Sequence, residues 1–204
     1  LLPPELQHTW DVRDTVPRSE RFKELAFAGH KVPACGYFCH LKRLCKPLVV
    51  YLDEYAHCGE GKVLWRPGDQ DPDTRVRQPF CSVYVPDEEN AEAEKGEILS
   101  VTRRELVVGG YRFFLKYRSR ASWMSNVGGE YELTSDQWTV PFGRRCDLFR
   151  YPMYSIDYTD HDDEFYHFDL NTCPGIPLEA VNLVGREVLR ESVAEFCRAE
   201  GLIG

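Results

Sequence analysis

The stretch from residue 154 to residue 170 constrains the fold of this chain more than any other part of the sequence. Apolar and polar residues alternate over residues 154–158 and again over residues 165–170. This period of two is typical of half-buried β-strands. The residues between them, DHDDE at 160–164, are polar and few enough to close an antiparallel hairpin. The sequence therefore predicts a two-stranded hairpin with one buried face.

Three oxygen-bearing side chains are expected to converge on this hairpin. Asp157 and Asp169 lie at comparable depth on the two strands, and Asn171 points to the same face as Asp169. Carboxylate and amide oxygens suit Mg²⁺, which leaves its other positions to water and substrate phosphates. The alternative is that both carboxylates are solvated residues of a one-sided sheet. Two metal-free carboxylates repel each other, so the sequence also predicts that neutralising Asp169 costs little folding stability.

The residues after the hairpin carry a resemblance to a known group of enzymes. Asp157, then Asp169, Asn171 and the turn Thr172-Cys173-Pro174-Gly175 are similar in order and spacing to the ATP-grasp superfamily. Ligases of that group, such as the D-alanine:D-alanine ligases, have an Asp, then Glu or Asp, one residue, Asn, and Thr-x-Pro-Gly before a helix. The resemblance extends from residue 150 to the C-terminus.

Two departures from that pattern concern positions that usually carry charged residues. The second carboxylate is Asp169, which has a shorter side chain than the commoner Glu. The basic residue that these ligases often carry two places before the first Asp is Ser155 here. Any arginine that stabilises an oxyanion must therefore come from elsewhere in the chain.

The resemblance implies an α+β fold, a mostly antiparallel sheet flanked by helices, and a single ATP-grasp-like domain over residues 1–204. It implies ATP and Mg²⁺ as cofactors, with the metal on Asp157, Asp169 and Asn171. It further implies ATP-dependent joining of a small-molecule or peptide carboxylate to an amine or another nucleophile through an acyl phosphate. A protein partner is expected to supply a missing N-terminal part. No side-chain nucleophile is required, although Cys173 lies in the turn.

Basic residues are expected to hold the nucleotide phosphates. Arg112 and Lys116 are four apart on the strand predicted at 111–117, so they share a face and are assigned to the triphosphate as catalytic and nucleotide-binding residues. The alternative is that they pair with nearby acids such as Glu105. Lys62 follows the predicted hairpin loop with Gly59 and Gly61 and is assigned to the nucleotide, although a plain hairpin turn explains the two glycines equally well.

Composition excludes some function classes. The net charge of −8 argues against general nucleic-acid binding. No apolar run approaches the length of a membrane span, and no signal-peptide pattern opens the chain, so we expect a cytoplasmic protein that does not bind membranes. The chain does not begin with Met, which suggests a fragment or a processed product.

The cysteines leave an alternative open. There are eight in 204 residues, and six Cys and His residues could form a zinc-stabilised interaction domain: Cys35, Cys39, His40, Cys45, His57 and Cys58. Their spacing is not the paired arrangement of common zinc modules, which favours free thiols and oxygen-bound Mg²⁺ or Mn²⁺ over zinc. A third hypothesis is a non-catalytic module that binds a nucleotide or a partner with the same fold.

The remaining segments are expected to form scaffold. A helix within residues 1–30, capped by Ser19 and ended by Gly29, is assigned no chemistry. One amphipathic helix is predicted at 178–202. The acidic run at 87–96 is interpreted as a solvated connection, and residues 118–132 as a mobile loop over the acceptor substrate. Further strands are predicted at 48–52, 63–65, 78–85, 98–101 and 105–108, and a basic connection at 136–151.

Overall fold

The computed structural model describes residues 16–55, 61–90, 99–125, 128–134 and 151–203. In these residues two antiparallel sheets and four α-helices form an α+β fold, as the sequence predicts. No helix in this part of the chain combines the length and apolarity needed to cross a membrane. The four helices are α1 (Arg18–Phe27), α2 (Phe38–Leu41), α3 (Leu178–Val184) and α4 (Arg186–Ala199), with a 3-10 turn at Lys42–Leu44.

The small sheet has four strands in the spatial order β1-β4-β2-β3. Its strands are β1 (Cys35–Tyr37), β2 (Leu48–Tyr51), β3 (Lys62–Trp65) and β4 (Phe80–Val83). The β2–β3 hairpin expected from the sequence is present, with Tyr51 opposite Lys62. The side chains of Leu48, Val50 and Cys81 are buried against Phe38 and Trp65, so the sheet has an apolar core of its own.

The large sheet has five strands in the order β7-β6-β5-β8-β9. They are β5 (Ser100–Val108), β6 (Tyr111–Ser119), β7 (Glu130–Leu133), β8 (Met153–His161) and β9 (Glu164–Asn171). The β8–β9 hairpin confirms the strongest prediction from the sequence. Its tip residues Asp162 and Asp163 have φ of 53° and 59°, as a tight turn that matches the twist of the strands requires.

Each face of the large sheet is covered by a different helix. Leu106, Phe113 and Leu115 pack on one face against Leu189 and Val193 of α4. On the other face Val107, Tyr154, Ile156 and Leu170 pack against Leu25 of α1. Phe22 of α1 also packs with Tyr51 and Phe80 of the small sheet. Each such buried side chain contributes about 1.5–3 kcal/mol, so α1 is held firmly between the two sheets.

Several predicted boundaries are wrong. The helix expected at 178–202 is two helices, because Gly185 adopts a φ of 99° between them. The strands expected at 98–101 and 105–108 are one continuous strand, β5, whose ladder runs unbroken to Ser100. Ser19 lies inside α1, and Pro17 is its N-cap residue. The loop expected at 118–132 is shorter than predicted, because Arg118 belongs to β6 and residues 130–132 belong to β7. Gly59 of the expected hairpin loop and residues 136–150 of the expected basic connection lie outside the described residues.

Candidate active site

Asp157 and Asp169 are direct register partners on β8 and β9. Asn171 is opposite Ser155 two positions further along the same ladder. Paired residues of an antiparallel ladder project to the same face, so the two carboxylates and the amide share one face of the large sheet. The register shifts immediately after the Asp157–Asp169 pair, which places an irregularity at the site.

Asp157 is buried and bonded to an arginine of the neighbouring strand. Arg104 is its register partner on β5, with Nε 2.5 Å from Oδ1 and Nη2 2.9 Å from Oδ2. The guanidinium also lies 4.8 Å from the ring centroid of Tyr117 and donates to its hydroxyl. Burial acts to lower the pKa of Arg104, but the Asp157 carboxylate outweighs it and raises this pKa. Arg104 therefore stays charged beside Asp157.

Asp169 is bonded to two cations that come from outside the large sheet. Arg18, the first residue of α1, donates through Nη1 to Oδ1, and Lys62 Nζ on β3 lies 3.5 Å from Oδ2. Burial acts to raise the pKa of Asp169, but Arg18, Lys62 and Arg104 outweigh it and hold this pKa at about 2. Asp169 is therefore a carboxylate at any physiological pH, in a ring of positive charge.

A cleft between the two sheets opens onto these carboxylates. Its walls include Asp157, Asp169, Lys62 and Tyr51 together with the apolar and aromatic side chains of Val49, Val83, Tyr84, Val85, Trp123 and Phe168. The Arg18 guanidinium and the Lys62 ammonium each lie 5.7 Å from the centroid of the Tyr51 ring. The cavity volume is about 80 Å³, below the roughly 300–1,000 Å³ of most ligand sites. A large ligand must therefore widen it.

The turn after β9 is organised by Asn171. Its Oδ1 accepts a hydrogen bond from the backbone N–H of Cys173 at 2.9 Å, which begins the turn Thr172-Cys173-Pro174-Gly175. Across the ladder, the Ser155 Oγ is buried and has no hydrogen-bond partner among the described residues. A buried unsatisfied hydroxyl next to Asn171 marks a polar position on the site face.

The structure does not bring Arg112 and Lys116 to the carboxylates. Arg112 registers with Val107 and Lys116 with Arg103, so both project from the face opposite to Asp157 and Asp169. Arg112 Nε lies 2.7 Å from Glu105 Oε1, and the Lys116 ammonium is bonded to Glu89. Arg112 and Lys116 therefore pair with nearby acids, which was the alternative interpretation. Their side chains lie on the face of the sheet opposite to Asp157 and Asp169.

Lys62 is the predicted basic residue that reaches the site, and two arginines that the sequence interpretation missed join it. Arg104 lies between the two strands that the sequence predicts at 98–101 and 105–108. That prediction does not indicate to which face of the sheet its side chain points. Arg18 lies 151 residues before Asp169 on a helix that was assigned no chemistry. Nothing in the local sequence indicates this contact.

The cysteine group does not form a metal centre in the described residues. Cys35, Cys39 and Cys45 are free and exposed, and Cys81 is buried. No three His, Cys, Asp or Glu side chains come together as metal ligands in the ranges that the structure describes. His57 and Cys58 lie outside those ranges. The oxygen-bearing residues that share one face of the hairpin are the two carboxylates, Asp157 and Asp169, and the Asn171 amide.

No protein-family model matches this sequence, and no curated protein matches it. Solved structures do match. D-alanine–D-alanine ligase from Bacillus anthracis complexed with ATP superposes with a TM-score of 0.58 at 14% identity, over 92% of this chain and 68% of its own length. An ATP-grasp ligase from Chryseobacterium gregarium, associated with RiPPs and complexed with ADP and a leader and core peptide, gives a TM-score of 0.53 at 14% identity.

The second of these matches covers 97% of this chain and 62% of the ligase. The ATP-grasp ligase PsnB, complexed with Mg, ADP and a phosphomimetic variant of its minimal precursor, gives a TM-score of 0.52 at 9% identity, over 91% and 60% of the two chains. Identities this low establish the fold and nothing finer. The two antiparallel sheets with a cleft between them are those of an ATP-grasp fold, and this chain has that fold.

Proposed function

We propose that this chain binds ATP with Mg²⁺ in the cleft between its sheets and acts as an ATP-grasp ligase. In this proposal it joins a carboxylate to an amine or another nucleophile through an acyl phosphate. The observation that carries the proposal is the register pair Asp157–Asp169, which faces Lys62 across the cleft. The fold is that of solved ligases bound to ATP or ADP.

The donor set fits Mg²⁺. Asp157, Asp169 and Asn171 offer oxygen atoms on one face, and Mg²⁺ prefers such oxygens to thiolates or imidazoles. When bound, the metal offsets charge on the phosphate oxygens. Lys62 and Arg104 contribute positive charge on the same side of the large sheet, where phosphoryl transfer spreads negative charge over several oxygens.

The rest of the cleft suits a flat, partly apolar group. Tyr84 and Val85, which follow β4, line it together with Trp123 from the loop after β6. The rings of Tyr84 and Trp123 pack edge to face with centroids 6.1 Å apart. A nucleobase buries its surface well against side chains of this kind. We infer that the base lies beside these residues while the phosphates extend toward Lys62.

For the substrates of the proposed ligation, only the chemical class is proposed. One of the similar ligases is complexed with a leader and core peptide, and another with a variant of a minimal precursor. The carboxylate substrate of this chain is therefore proposed to be a peptide or a small molecule. This chain spans 62% and 60% of the length of those two ligases, and a protein partner is proposed to supply a part that corresponds to the remainder. Trp123, Met124 and Ser125, in the segment between β6 and β7, line the cleft. This segment is proposed to cover the substrate.

Titration calorimetry with ATP tests the proposal. MgATP should bind, and ATP with excess EDTA should bind at least about tenfold more weakly, because no metal then links the carboxylates to the phosphates. At 100 times the dissociation constant, the ligand should add about 2.7 kcal/mol to the free energy of unfolding. No heat and no melting shift with millimolar MgATP would refute nucleotide binding.

A matched pair of lysine variants locates the nucleotide. Lys62→Gln should weaken MgATP binding about tenfold or more, since it removes a charge-assisted contact. Lys42→Gln removes the same charge from an ion pair with Asp71 on the 3-10 turn and should bind as the wild type does. Equal losses in both variants would show that only the overall charge matters.

A second candidate is a nucleotide-binding module without ligase activity. The observation that favours it is Ser155, an uncharged residue where the resembling ligases often carry a basic one. ADP and phosphate release with pools of amino acids and peptides separates the two. ADP and phosphate release that requires an added carboxylate supports the ligase. MgATP binding with no ADP or phosphate release in any of the pools supports the non-catalytic module.

A further inference from the structure

All four carboxylate oxygens at the site already have cationic partners. Arg104 contacts both oxygens of Asp157, Arg18 contacts Oδ1 of Asp169, and Lys62 approaches Oδ2 of Asp169. Three positive charges therefore face two negative charges before any ligand arrives. A cation that binds these oxygens must therefore compete with these partners and is repelled by their charge.

The three partners differ in how easily they can move. Arg104 lies in the same sheet as Asp157, makes two bonds to it and donates a third to Tyr117, so it is fixed. The Lys62 ammonium is at the longer distance of 3.5 Å. Arg18 belongs to α1, which is outside the large sheet, and its long side chain donates directly to Oδ1 of Asp169.

The backbone of Arg18 is anchored while its guanidinium reaches the site. Its N–H donates to the Glu54 carbonyl at 3.0 Å, and the next N–H, of Ser19, donates to a carboxylate oxygen of Glu54 at 3.1 Å. The guanidinium lies along the Tyr51 ring at the wall of the cleft. The side chain can therefore exchange one acceptor for another nearby without moving the helix.

We propose that Arg18 is the resident counterion of Asp169 in the nucleotide-free protein and transfers to a phosphate oxygen when nucleotide and metal bind together. This inference rests on the proposed nucleotide binding. A divalent cation on Asp169 would compete with the Arg18 guanidinium for the same carboxylate and would repel its positive charge. A polyphosphate supplies a new anionic acceptor for the displaced arginine, and guanidinium–phosphate pairs are strong. Free metal has no such acceptor to offer.

The inference makes Arg18 a nucleotide-binding residue and predicts the order of binding. The divalent cation arrives with the nucleotide, and Asp169 binds metal alone only weakly. Removing Arg18 should therefore have opposite effects on the two ligands. Affinity for free metal rises because a competitor is lost, and affinity for the nucleotide falls because a phosphate ligand is lost.

Electron paramagnetic resonance with Mn²⁺ alone, without nucleotide, measures the first effect. Arg18→Gln should bind Mn²⁺ about ten- to a hundredfold more tightly than the wild type. This factor corresponds to the net free energy of one hydrogen bond to a charged group. Arg190→Gln is the matched control, since Arg190 is an exposed residue of α4 paired with Glu187. It should bind Mn²⁺ as the wild type does. Calorimetry with MgATP should show about tenfold weaker binding for Arg18→Gln.

The outcomes separate this inference from the proposed function. Tighter Mn²⁺ binding by Arg18→Gln together with weaker MgATP binding supports the exchange. Unchanged Mn²⁺ affinity in a folded Arg18→Gln, while the wild type binds MgATP, overturns it and leaves nucleotide binding standing. If Arg18→Gln does not fold, Mn²⁺ binding by the wild type without nucleotide still tests the inference. Saturable binding of free Mn²⁺ at micromolar concentration would contradict a resident counterion on Asp169. Failure of wild-type MgATP binding refutes the proposed function and the transfer to phosphate with it.

Discussion

Arg104 donates to both carboxylate oxygens of Asp157, from a position 53 residues earlier in the chain, because the two residues are register partners on β5 and β8. Ser155, which has no charge, is two residues before Asp157. In the ligases that the sequence resembles, a basic residue is often found at that position. The sheet thus supplies a cation beside Asp157 from the neighbouring strand, and the register of the ladder places this cation.

Asp169→Asn should weaken MgATP binding about tenfold or more, since it removes one of the two proposed carboxylate ligands. Contrary to the expectation from sequence, it should also lower the free energy of unfolding of the ligand-free protein, by about 1–3 kcal/mol. The reason is that Asp169 pairs with Arg18 and Lys62, which offset its repulsion with Asp157. Calorimetry and urea unfolding measure the two effects.

Asp162→Asn is the control for that substitution. Asp162 lies at the tip of the same hairpin with its side chain 88% exposed, and Asn tolerates its φ of 53°. Its free energy of unfolding should stay within about 0.5 kcal/mol of the wild type, with MgATP binding intact. Wild-type MgATP affinity in Asp169→Asn would show that Asp169 belongs to the scaffold and does not hold the metal.

The stability of the protein should fall as the pH is lowered from about 6.5 to about 4 because of His167. Burial, assisted by the neighbouring ring of His30 at 4.4 Å, lowers the pKa of His167 from 6.5 to about 4. In that window the unfolded chain takes up a proton that the folded chain does not, so acid favours unfolding. Above pH 6.5 this contribution is fully present.

Urea unfolding at stepped pH values tests the assignment to His167. His167→Gln should show a flatter dependence between pH 6.5 and 4, whatever its absolute stability. His40→Gln, at an exposed position of α2, should keep the slope of the wild type. An unchanged slope in His167→Gln would place the acid sensitivity elsewhere.

Asp87→Asn should destabilise the fold although Asp87 belongs to the acidic run that the sequence interpretation assigned to solvent. Its carboxylate is fully buried, accepts from Arg103 at 3.0 and 3.3 Å, and accepts from the backbone N–H of Asp160 at 3.0 Å. We expect a loss of about 1–3 kcal/mol. Glu88→Gln, its exposed neighbour, should change stability by less than about 0.5 kcal/mol. Thermal melting compares the two, and equal melting temperatures would contradict the buried role.

Gly109→Ala should strongly destabilise the protein. A Cβ there would lie 2.5 Å from Ser192 Oγ and 2.6 Å from the Ser192 carbonyl carbon, at a φ of 57°. The overlap costs about 1–3 kcal/mol and the left-handed backbone about 1–2 kcal/mol more. At Gly175 a Cβ would have no atom within 4 Å apart from those of its chain neighbours. Gly175→Ala should therefore change the free energy of unfolding by less than about 0.5 kcal/mol. Urea unfolding of both variants measures the difference, and a neutral Gly109→Ala would mean that α4 moves away from the turn.

The local pattern of the sequence was sufficient for the hairpin and for the convergence of its polar residues. Alternation with a period of two determines which residues of a strand share a face, and a short polar turn determines the register. Asp157, Asp169 and Asn171 could therefore be placed together without a structure. The α+β class and the ATP-grasp fold followed from the resemblance of these three residues and the Thr-x-Pro-Gly turn to ATP-grasp ligases.

Strand boundaries and charge pairing could not be predicted in the same way. The break assumed within β5 concealed the face of Arg104, because a shift of one residue reverses every side chain. For Arg112 and Lys116, the sequence showed that they share a face but not which face, since that depends on the register with β5.

The sequence by itself determined the acidic half of the site, because its members are neighbours on one hairpin. Only the tertiary structure decided the basic half. Arg18, Lys62 and Arg104 come from a helix, the small sheet and a neighbouring strand, and no local period relates them to Asp157 or Asp169. Long-range ion pairs form where the packing of apolar cores brings elements together, and the packing of α1 between the two sheets places Arg18 on Asp169.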